Sequence, residues 1–238
     1  MAGNYKQALS AAKQLQDEIP AFYLGIGGAL GYYIQYLQQS LLMTYIRFGK
    51  WDEILDEKLS DSLAYTSVLQ HFGRGLAFAK TNHPTEAATE LAQMNLRMQD
   101  SSLKEPLAPF NAAYDAALIA REILEGAIAS GQNNWTLAIQ HFEEAVKLED
   151  KLIYNEPRDW LVPTRQYLGD ALLKAGRYND AIVVLQHDLT INPSNGWAIT
   201  GLQMAFEKLS RPGEIITAKQ RLKNAWLIKD IEIKMPVF

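Results

Sequence analysis

The stretch that most constrains the fold of this chain is residues 165–195, RQYLGDALLKAGRYNDAIVVLQHDLTINPSN. Its apolar side chains recur at steps of three and four residues in two runs, Leu168, Leu172 and Leu173, then Ala181, Ile182, Leu185 and Leu189. Side chains at this spacing share one face of an α-helix, because the helix completes a turn in about 3.6 residues. The stretch therefore predicts two consecutive amphipathic helices.

Turn-forming residues delimit these two helices. Gly176 suits the left-handed conformation at a helix C-terminus, and Asn179 or Asp180 is expected to cap the second helix. Asn192 and Pro193 are expected to end it, because proline lacks an amide hydrogen and disfavours a helical conformation in the preceding residue. The break between the helices is short, so the two are predicted to fold back on each other as a pair.

Small residues stand where the paired helices would meet. Gly169 lies inside the first helix, where glycine costs about 1 kcal/mol relative to alanine, so another part of the chain is expected to approach it closely. The unit resembles the tetratricopeptide repeat in its apolar and small residues and in its terminal proline: Leu168, Gly169, Leu172, Ala181, Leu185 and Pro193. It departs from that family at Arg165, where Trp is favoured, and at Asp188, where a small residue is usual. Looser packing is expected at these positions.

Less regular copies of the unit occur along the rest of the chain. Equivalent positions are separated by 33, 51, 43 and 34 residues, at Ile54, Ala87, Ala138, Ala181 and Ile215. Two of these intervals match a repeat period of about 34 residues, and two carry insertions. The resemblance implies one all-α domain over residues 1–238, a right-handed α–α superhelix of about five irregular helix pairs. These pairs are predicted at 22–60, 64–98, 107–150, 160–195 and 196–229.

The two ends of the predicted array are less regular than its middle. Residues 1–18 are expected to form an unpaired or capping helix, or the second half of a unit belonging to a longer chain. Residues 230–238 are expected to form an extended tail that packs along the helices. The stretches HFGRGLAFA, YNEPRDW and LGDALLKAGR with NPSNGWA also resemble a group of bacterial tetratricopeptide repeat proteins. That group has no known activity, so this second resemblance bears on the fold alone.

Residues 21–46 contain no charged side chain. A membrane helix is disfavoured, because the second half of the segment is polar, with Gln35, Gln38, Gln39, Ser40 and Thr44. A helix buried in the array or covered by a partner is the first interpretation. The second is a self-associating structural module, in which the GxxxG spacing of Gly27 and Gly31 lets helices of two copies approach closely as a homodimer.

The charge and cysteine content excludes several functional classes. The 27 acidic and 23 basic residues are spread along the chain and give a net charge of −4, so no basic surface for nucleic acid is predicted. The absence of cysteine excludes disulfides and thiolate chemistry. The N-terminal residues lack the apolar core of a secretory signal. A cytoplasmic location is therefore favoured, although the compartment stays open.

No linear motif for catalysis, cofactor binding or metal binding is visible. The four histidines, His71, His83, His141 and His187, form no HxxxH pair. The i, i+3 spacing of His83 with Glu86 and of His141 with Glu144 supplies too few ligands for a metal. The GxSxG, HExxH, Walker and kinase signatures are absent. We therefore expect a non-enzymatic chain without cofactor or metal, the alternative being a helical-array enzyme without a linear motif.

The resemblance also implies a place for a partner. Tetratricopeptide repeats bind partners in a concave groove lined by the first helix of each pair, and the corresponding residues here are Tyr36, Gln39, Met43, Leu69, Phe72, Leu76, Gln166, Asp170, Lys174, Trp197, Thr200 and Met204. The leading hypothesis is a soluble, non-catalytic scaffold that binds an unidentified peptide or protein there. Trp197 could instead pack on Pro193 of the preceding unit.

One further alternative places a small-molecule or enzymatic pocket in the insertion at 154–160. Its wall would consist of Tyr154, Glu156, Arg158, Asp159 and Trp160. Insertions into a regular array often carry function, because connecting segments tolerate change better than the packed elements they join. The competing interpretation is that Trp160 packs its loop against the array.

Overall fold

The computed structural model describes residues 3–60 and 62–238. Within them the chain forms α-helices, one 3₁₀ turn at Ser101–Lys104 and no β-strand, which confirms the all-α prediction. Five helices come first: α1 (Tyr5–Glu18), α2 (Ala21–Leu24), α3 (Gly28–Gln38), α4 (Ser40–Arg47) and α5 (Trp51–Asp56). Eight helices that are longer on average follow: α6 (Ala64–Lys80), α7 (Pro84–Arg97), α8 (Ala113–Gly131), α9 (Trp135–Asp150), α10 (Thr164–Lys174), α11 (Tyr178–Ile191), α12 (Gly196–Lys208) and α13 (Pro212–Ala225).

The uncharged segment at 21–46 is divided among α2, α3 and the first part of α4, so the interpretation of one continuous helix is wrong. Gly25 to Gly27 break the chain after α2, and Gln39 separates α3 from α4. No helix in the described part of the chain combines the length and apolarity that crossing a bilayer requires. A Cβ on Gly31 would lie 1.7 Å from the carbonyl oxygen of Ile26. Residue 31 therefore has to be glycine, because the backbone of Ile26 in the same chain leaves no room for a side chain there.

Helices α6 to α13 form two layers. The first helix of each pair, α6, α8, α10 and α12, lies beside the next in an inner layer, and α7, α9, α11 and α13 pack outside them. The inner helices are the more deeply buried, and in α10 every residue from Thr164 to Leu173 is buried. By contrast, α13 buries only Ala218 and Ala225. The hydrophobic core thus lies on both sides of the inner layer.

The N-terminal helices form a third layer over the other side of the inner helices. Helix α3 packs on α6 and α8, and α4 packs on α6. Leu42 of α4 lies so close to α6 that a Cβ on Gly73 would come within 2.7 Å of its Cδ1. The apolar side chains of the uncharged segment are thereby buried within the chain, including Tyr32, Tyr36, Leu41, Leu42 and Met43.

The two ends of the chain meet in space. Asp230 accepts hydrogen bonds from the first amides of α1, with Oδ1 2.6 Å from the nitrogen of Tyr5 and Oδ2 2.8 Å from that of Lys6. Helix α1 packs against α4 and is therefore not unpaired. Residues 230–238 contain no helix, and they bury Ile233 and Val237 against the array. Met1 and Ala2 of the predicted helix at 1–18, and Asp61 of the domain at 1–238, lie outside the described residues.

The turn residues of the 165–195 unit mostly behave as predicted. Gly176 has a φ of 74°, in the left-handed region, and α11 ends at Ile191 immediately before Asn192. The close approach at Gly169 is also confirmed, because a Cβ there would lie 2.6 Å from Cδ2 of Leu185. The capping prediction for Asn179 or Asp180 is wrong. Helix α11 already begins at Tyr178, and Asp180 accepts a hydrogen bond from Arg177 Nε instead, at 2.7 Å.

Candidate functional site

The twelve residues proposed to line a groove lie in the inner layer and in the helices that cover it. Ten of them are buried: Tyr36, Gln39, Met43, Leu69, Phe72, Leu76, Gln166, Asp170, Trp197 and Thr200. Lys174 is exposed and Met204 is half-buried. Phe72 and Leu76 have no exposed surface at all. Helices α3 and α4 cover part of the inner layer, at α6 and α8, and the ten buried residues form a core and not an open wall.

A half-buried arginine holds the N-terminal layer to the C-terminal half of the array. The guanidinium of Arg47, at the end of α4, lies over the ring of Trp197, with Cζ 3.9 Å from the ring centroid. Its Nη1 donates a hydrogen bond to Gln166 Oε1, and its Nη2 lies 3.4 Å from Asn195 Oδ1. Asp188 in turn accepts a hydrogen bond from Asn195 Nδ2 at 2.6 Å. We call Arg47, Gln166, Asp188, Asn195 and Trp197 the Arg47 cluster.

The electrostatics of the Arg47 cluster follow from its burial. Burial lowers the pKa of Arg47 to about 10 against the opposing effect of Asp188, because a charge removed from water is costly. Burial raises the pKa of Asp188, while the hydrogen bond from Asn195 and the charge of Arg47 act in the opposite direction. Each charge thus offsets the desolvation of the other. The looser packing expected at Asp188 is wrong, because this side chain is 1% exposed.

Trp197 does not line an open groove, because its side chain is buried. Its ring lies 5.7 Å from Phe48 and 5.0 Å from Trp226. The indole is therefore packed among α4, the end of α13 and the guanidinium of Arg47, and it is 1% exposed.

Arg165, which together with Asp188 departs from the repeat pattern, is also buried, and its Nη2 lies 2.6 Å from Asp150 Oδ2. Arg165 and Asp188 thus each have an oppositely charged partner from a neighbouring helix, Asp150 and Arg47 respectively.

Two histidine–glutamate–arginine clusters join first to second helices in successive pairs. In the first, Glu90 of α7 lies 2.6 Å from His71 Nδ1 and 2.8 Å from Arg74 Nε, both on α6. Burial raises the pKa of Glu90, but the hydrogen bonds from His71 and Arg74 outweigh it and hold the pKa below its ordinary value. In both clusters, a glutamate from the other helix of the pair contacts the histidine, His71 or His141, and the spacings in the sequence did not show these contacts.

The second such cluster has the geometry of a metal-ligand set. His141 Nδ1 of α9 lies 2.8 Å from Glu122 and 3.2 Å from Glu125, both on α8. One atom from each of the three lies within 4.8 Å of the others, and nitrogen with carboxylate oxygen ligands is chemistry that Zn²⁺ accepts. Arg121 already binds the other oxygen of Glu122 at 3.0 Å. Burial, followed by the charge of Glu122, raises the pKa of Glu125.

The insertion at 150–163 borders a cavity of about 160 Å³ between α9, α10 and the end of α11. Four of the five residues proposed for its wall line it, namely Tyr154, Arg158, Asp159 and Trp160. The remaining one, Glu156, accepts a hydrogen bond from Tyr154 Oη. Trp160 is buried, with its ring 5.6 Å from Phe72. The insertion therefore packs on the inner layer and still leaves a cavity beside it.

The walls of this insertion cavity carry opposing charges. Arg158 and Arg165 face it together with Glu149 and Asp150. Burial raises the pKa of Glu149, and hydrogen bonds from the amide and hydroxyl of Thr164 oppose that rise. Ile153, Tyr154 and Ile191 at its edge are exposed apolar side chains, at 55%, 65% and 42%. The cavity thus combines a polar interior with an apolar rim.

A wider cleft lies between α12, α13 and the C-terminal tail. Its volume is about 700 Å³, and its walls carry Lys219, Lys223, Lys229 and Lys234 together with one acidic residue, Glu207. Lys234 pairs with Glu232 at 3.2 Å, outside the lining. Thr200 and Met204, two of the proposed groove residues, lie in it. Leu227 on its wall is 79% exposed. We call this the C-terminal cleft.

Sequence reasoning missed the C-terminal cleft for a physical reason. Its lysines are spread over α13 and the irregular tail, and only the fold brings them together. One sequence signal is available, because α13 lacks the dense apolar face of α10 and leaves apolar side chains such as Ile216 and Leu227 exposed. Comparison with known proteins adds no further assignment, because no family model, curated protein or solved structure matches this chain.

Proposed function

We propose that this chain is a non-catalytic protein-binding scaffold of the tetratricopeptide-repeat type. Four consecutive helix pairs, with first helices in an inner layer and second helices outside, support this assignment. So do the small residues at the contacts between paired helices, such as Gly169 against Leu185 and Gly126 against Phe142. The irregular N-terminal helices are the principal departure, because they occupy the side on which such repeats ordinarily bind a partner.

The partner surface that we propose is the C-terminal cleft. The observation that carries this proposal is the excess of lysines in a chain whose overall net charge is −4. Neither Lys219 nor Lys223 forms an ion pair with another described residue, so their charges are available to a ligand. Interfaces of complementary potential gain specificity and association rate.

The cleft fits an acidic peptide segment that also carries apolar side chains. Carboxylates of the peptide would lie beside the lysines, and an apolar side chain would cover Leu227 and the neighbouring Leu222. Exposed apolar surface rimmed by polar residues is typical of interaction sites. Nucleic acid is the weaker alternative, because the cleft contains no arginine and the chain as a whole is acidic.

Fluorescence anisotropy with a labelled twelve-residue peptide of alternating Glu-Glu and Leu-Leu pairs tests this proposal. The native chain is expected to bind it more tightly than the equivalent Lys-Lys and Leu-Leu peptide, and more weakly as salt rises. Charge reversal in Lys219→Glu with Lys223→Glu should weaken binding about tenfold or more. The control pair Lys13→Glu with Lys151→Glu, on exposed positions that do not line the cleft, should leave binding nearly unchanged.

Two results would count against the C-terminal cleft. One is equal binding of the acidic and basic peptides, which would remove the charge argument. The other is equal weakening by the control pair, which would show that net charge and not the cleft controls binding. Circular dichroism of each variant should show native helix content, because all four lysines are at the surface.

A second candidate function is small-molecule binding in the insertion cavity. The observation that favours it is the pairing of buried Arg165 with Glu149 and Asp150 around an interior of about 160 Å³. Such a set of opposing charges fits a small zwitterion. A calorimetric titration with free amino acids tests it, with Arg158→Gln as the variant that should weaken binding. Heats no larger than those of dilution for all amino acids would remove this candidate.

A further inference from the structure

A further pocket, which shares Asp159 with the insertion cavity, lies where α3, the start of α6 and the start of α8 meet. Four tyrosines line it, Tyr32, Tyr33 and Tyr36 from α3 and Tyr65 from α6. The rings of Tyr36 and Tyr65 are stacked at 6.3 Å between centroids, and Tyr32 meets Tyr65 edge-on at 6.5 Å. Tyr32 is held in place by a hydrogen bond between its hydroxyl and that of Ser102. The aromatic walls are therefore fixed by packing before any ligand arrives.

The charged groups at this tyrosine pocket are all acidic. Among the described residues, Glu105 and Asp159 line it, and no lysine, arginine or histidine does. Asp159 accepts hydrogen bonds from the neutral amides of Asn111, at 2.6 Å, and Asn155, at 3.4 Å. Neither carboxylate forms an ion pair with another residue that the structure describes. The pocket thus combines two carboxylates that form no ion pair with an aromatic lining.

The N-terminus of α8 carries a partial positive charge, which offsets part of the negative charge of Glu105 and Asp159 in this pocket. Asp115 reduces that influence, because its Oδ2 accepts a hydrogen bond from the amide of Ala112 at 2.9 Å. The hydroxyls of the deepest tyrosines do not add negative charge, since burial raises the pKa values of Tyr36 and Tyr65. The field in the pocket is therefore set mainly by Glu105 and Asp159.

We propose that the tyrosine pocket binds the ammonium group of a primary alkylamine. Aromatic rings attract cations placed over their faces, and the two carboxylates add ion pairing at the mouth. The size of the pocket selects among cations. Its interior volume is about 30 Å³, whereas one water-sized group needs about 10–15 Å³. A primary ammonium fits this space, and a quaternary ammonium with four methyl groups does not.

Calorimetric titration of the intact chain with n-butylammonium tests the assignment, with 1-butanol and tetramethylammonium as matched ligands. The butanol has the same alkyl chain without the charge, and tetramethylammonium has the charge with a larger head. We expect n-butylammonium to bind at least about tenfold more tightly than either, because only it satisfies both charge and size. Equal affinity for 1-butanol, or tighter binding of tetramethylammonium, would overturn the proposal.

Three variants locate the site. Asp159→Asn keeps a hydrogen-bond acceptor for Asn111 and should weaken n-butylammonium binding about tenfold. Glu105→Gln, at an exposed position, should weaken it about twofold to fivefold. Ala29→Leu, on the wall of the pocket in α3, should abolish binding by filling the space without changing any charge. Glu143→Gln on the exposed side of α9 is the control and should leave affinity unchanged.

These variants also separate a specific site from general charge attraction. Unchanged affinity in both Ala29→Leu and Asp159→Asn would place the amine elsewhere and overturn the proposal. Thermal unfolding of each variant within a few degrees of the native chain shows that the fold is retained. Failure here would leave the C-terminal cleft unaffected, because that cleft shares no residue with this pocket.

Discussion

Helices α10 and α13 come from neighbouring repeats but have opposite surroundings. In α10 every residue from Thr164 to Leu173 is buried, whereas α13 buries only Ala218 and Ala225. Helix α10 lies between two layers and contributes Gln166 to the Arg47 cluster. Helix α13 is the last helix of the array and is covered on one side only. The position of a helix in the array, as well as its apolar periodicity, therefore decides how many of its side chains face solvent.

The polar residues of the two helices differ in the same way. Around α10, charged groups are buried and matched to one another, as Arg47 is to Asp188. Along α13, the lysines project into an open cleft without acidic partners. Buried and matched charges fix a structure, whereas exposed and unmatched charges can be satisfied by a ligand. The contrast predicts that inner-layer substitutions change stability and that substitutions on α13 change binding.

The largest expected effect is at Phe72 in the inner layer. Phe72→Ala removes a ring with no exposed surface, and such cavities cost about 3–5 kcal/mol. The matched variant Ile216→Ala, on an α13 side chain that is 70% exposed, should change stability by less than about 0.5 kcal/mol. Urea unfolding followed by circular dichroism measures both. A loss below about 1 kcal/mol for Phe72→Ala would contradict the two-sided burial of the inner layer.

The next effect concerns glycine at contacts between paired helices. Gly169→Leu would collide with Leu185, and overpacking of this kind costs about 1–3 kcal/mol. Gly213→Leu is the control, because a Cβ added to Gly213 at the start of α13 would meet no neighbouring atom within 4 Å. Differential scanning calorimetry should show a melting temperature lower by several degrees for the first variant only. Equal melting temperatures would mean that α10 and α11 separate easily.

A smaller effect is expected at Glu90, and it depends on pH. A carboxyl whose pKa is lower in the folded than in the unfolded chain contributes stability above the unfolded pKa of about 4.3. That contribution is lost as the pH falls through the folded pKa. Glu90→Gln should therefore be less stable than the native chain at pH 7, by about 1–2 kcal/mol, and should lose less stability on acidification. Parallel urea titrations at pH 7 and pH 3.5, with Glu143→Gln as control, measure the difference.

The smallest effect on stability, and a clear one on binding, is expected at Leu227. This side chain is 79% exposed, so Leu227→Asp should change the free energy of unfolding by less than about 0.5 kcal/mol. The added carboxylate in a cleft of lysines should nevertheless weaken binding of the acidic Glu-Leu peptide. Anisotropy and urea unfolding of the same preparation compare the two quantities. A large loss of stability without a change in binding would reverse the roles assigned to the two helices.

The fold class could be predicted from the sequence because the helical signals are local. The spacing of Leu168 with Leu172, the turn at Gly176 and the stop before Pro193 each involve residues within one or two turns of each other. The close contact at Gly169 was predictable for the same reason, since glycine is disfavoured in a helix interior. The cap at α11 was not, because Asp180 is as well satisfied by Arg177 as by a backbone amide.

The candidate sites were less predictable, because each depends on contacts between distant parts of the chain. Arg47, at the end of α4, contacts Trp197 of α12, although three helix pairs separate the two residues in the sequence. The cluster of His141 with Glu122 and Glu125 joins two helices, so no spacing within one helix could reveal it. The insertion at 154–160 borders a cavity, which one of the two interpretations predicts, and its Trp160 is buried against the array, which the other predicts.

Hydrogen–deuterium exchange of the chain, with and without the acidic Glu-Leu peptide, tests the central claim most directly. In the free chain, amides of α10 should exchange far more slowly than those of α13, because α10 is covered on both sides. Addition of the peptide should slow exchange in α13 and residues 226–235 and leave α3, α4 and α10 unchanged. Protection of α3, α4 or α10 by the peptide, with no change in α13, would contradict the claim and place the partner on the inner layer.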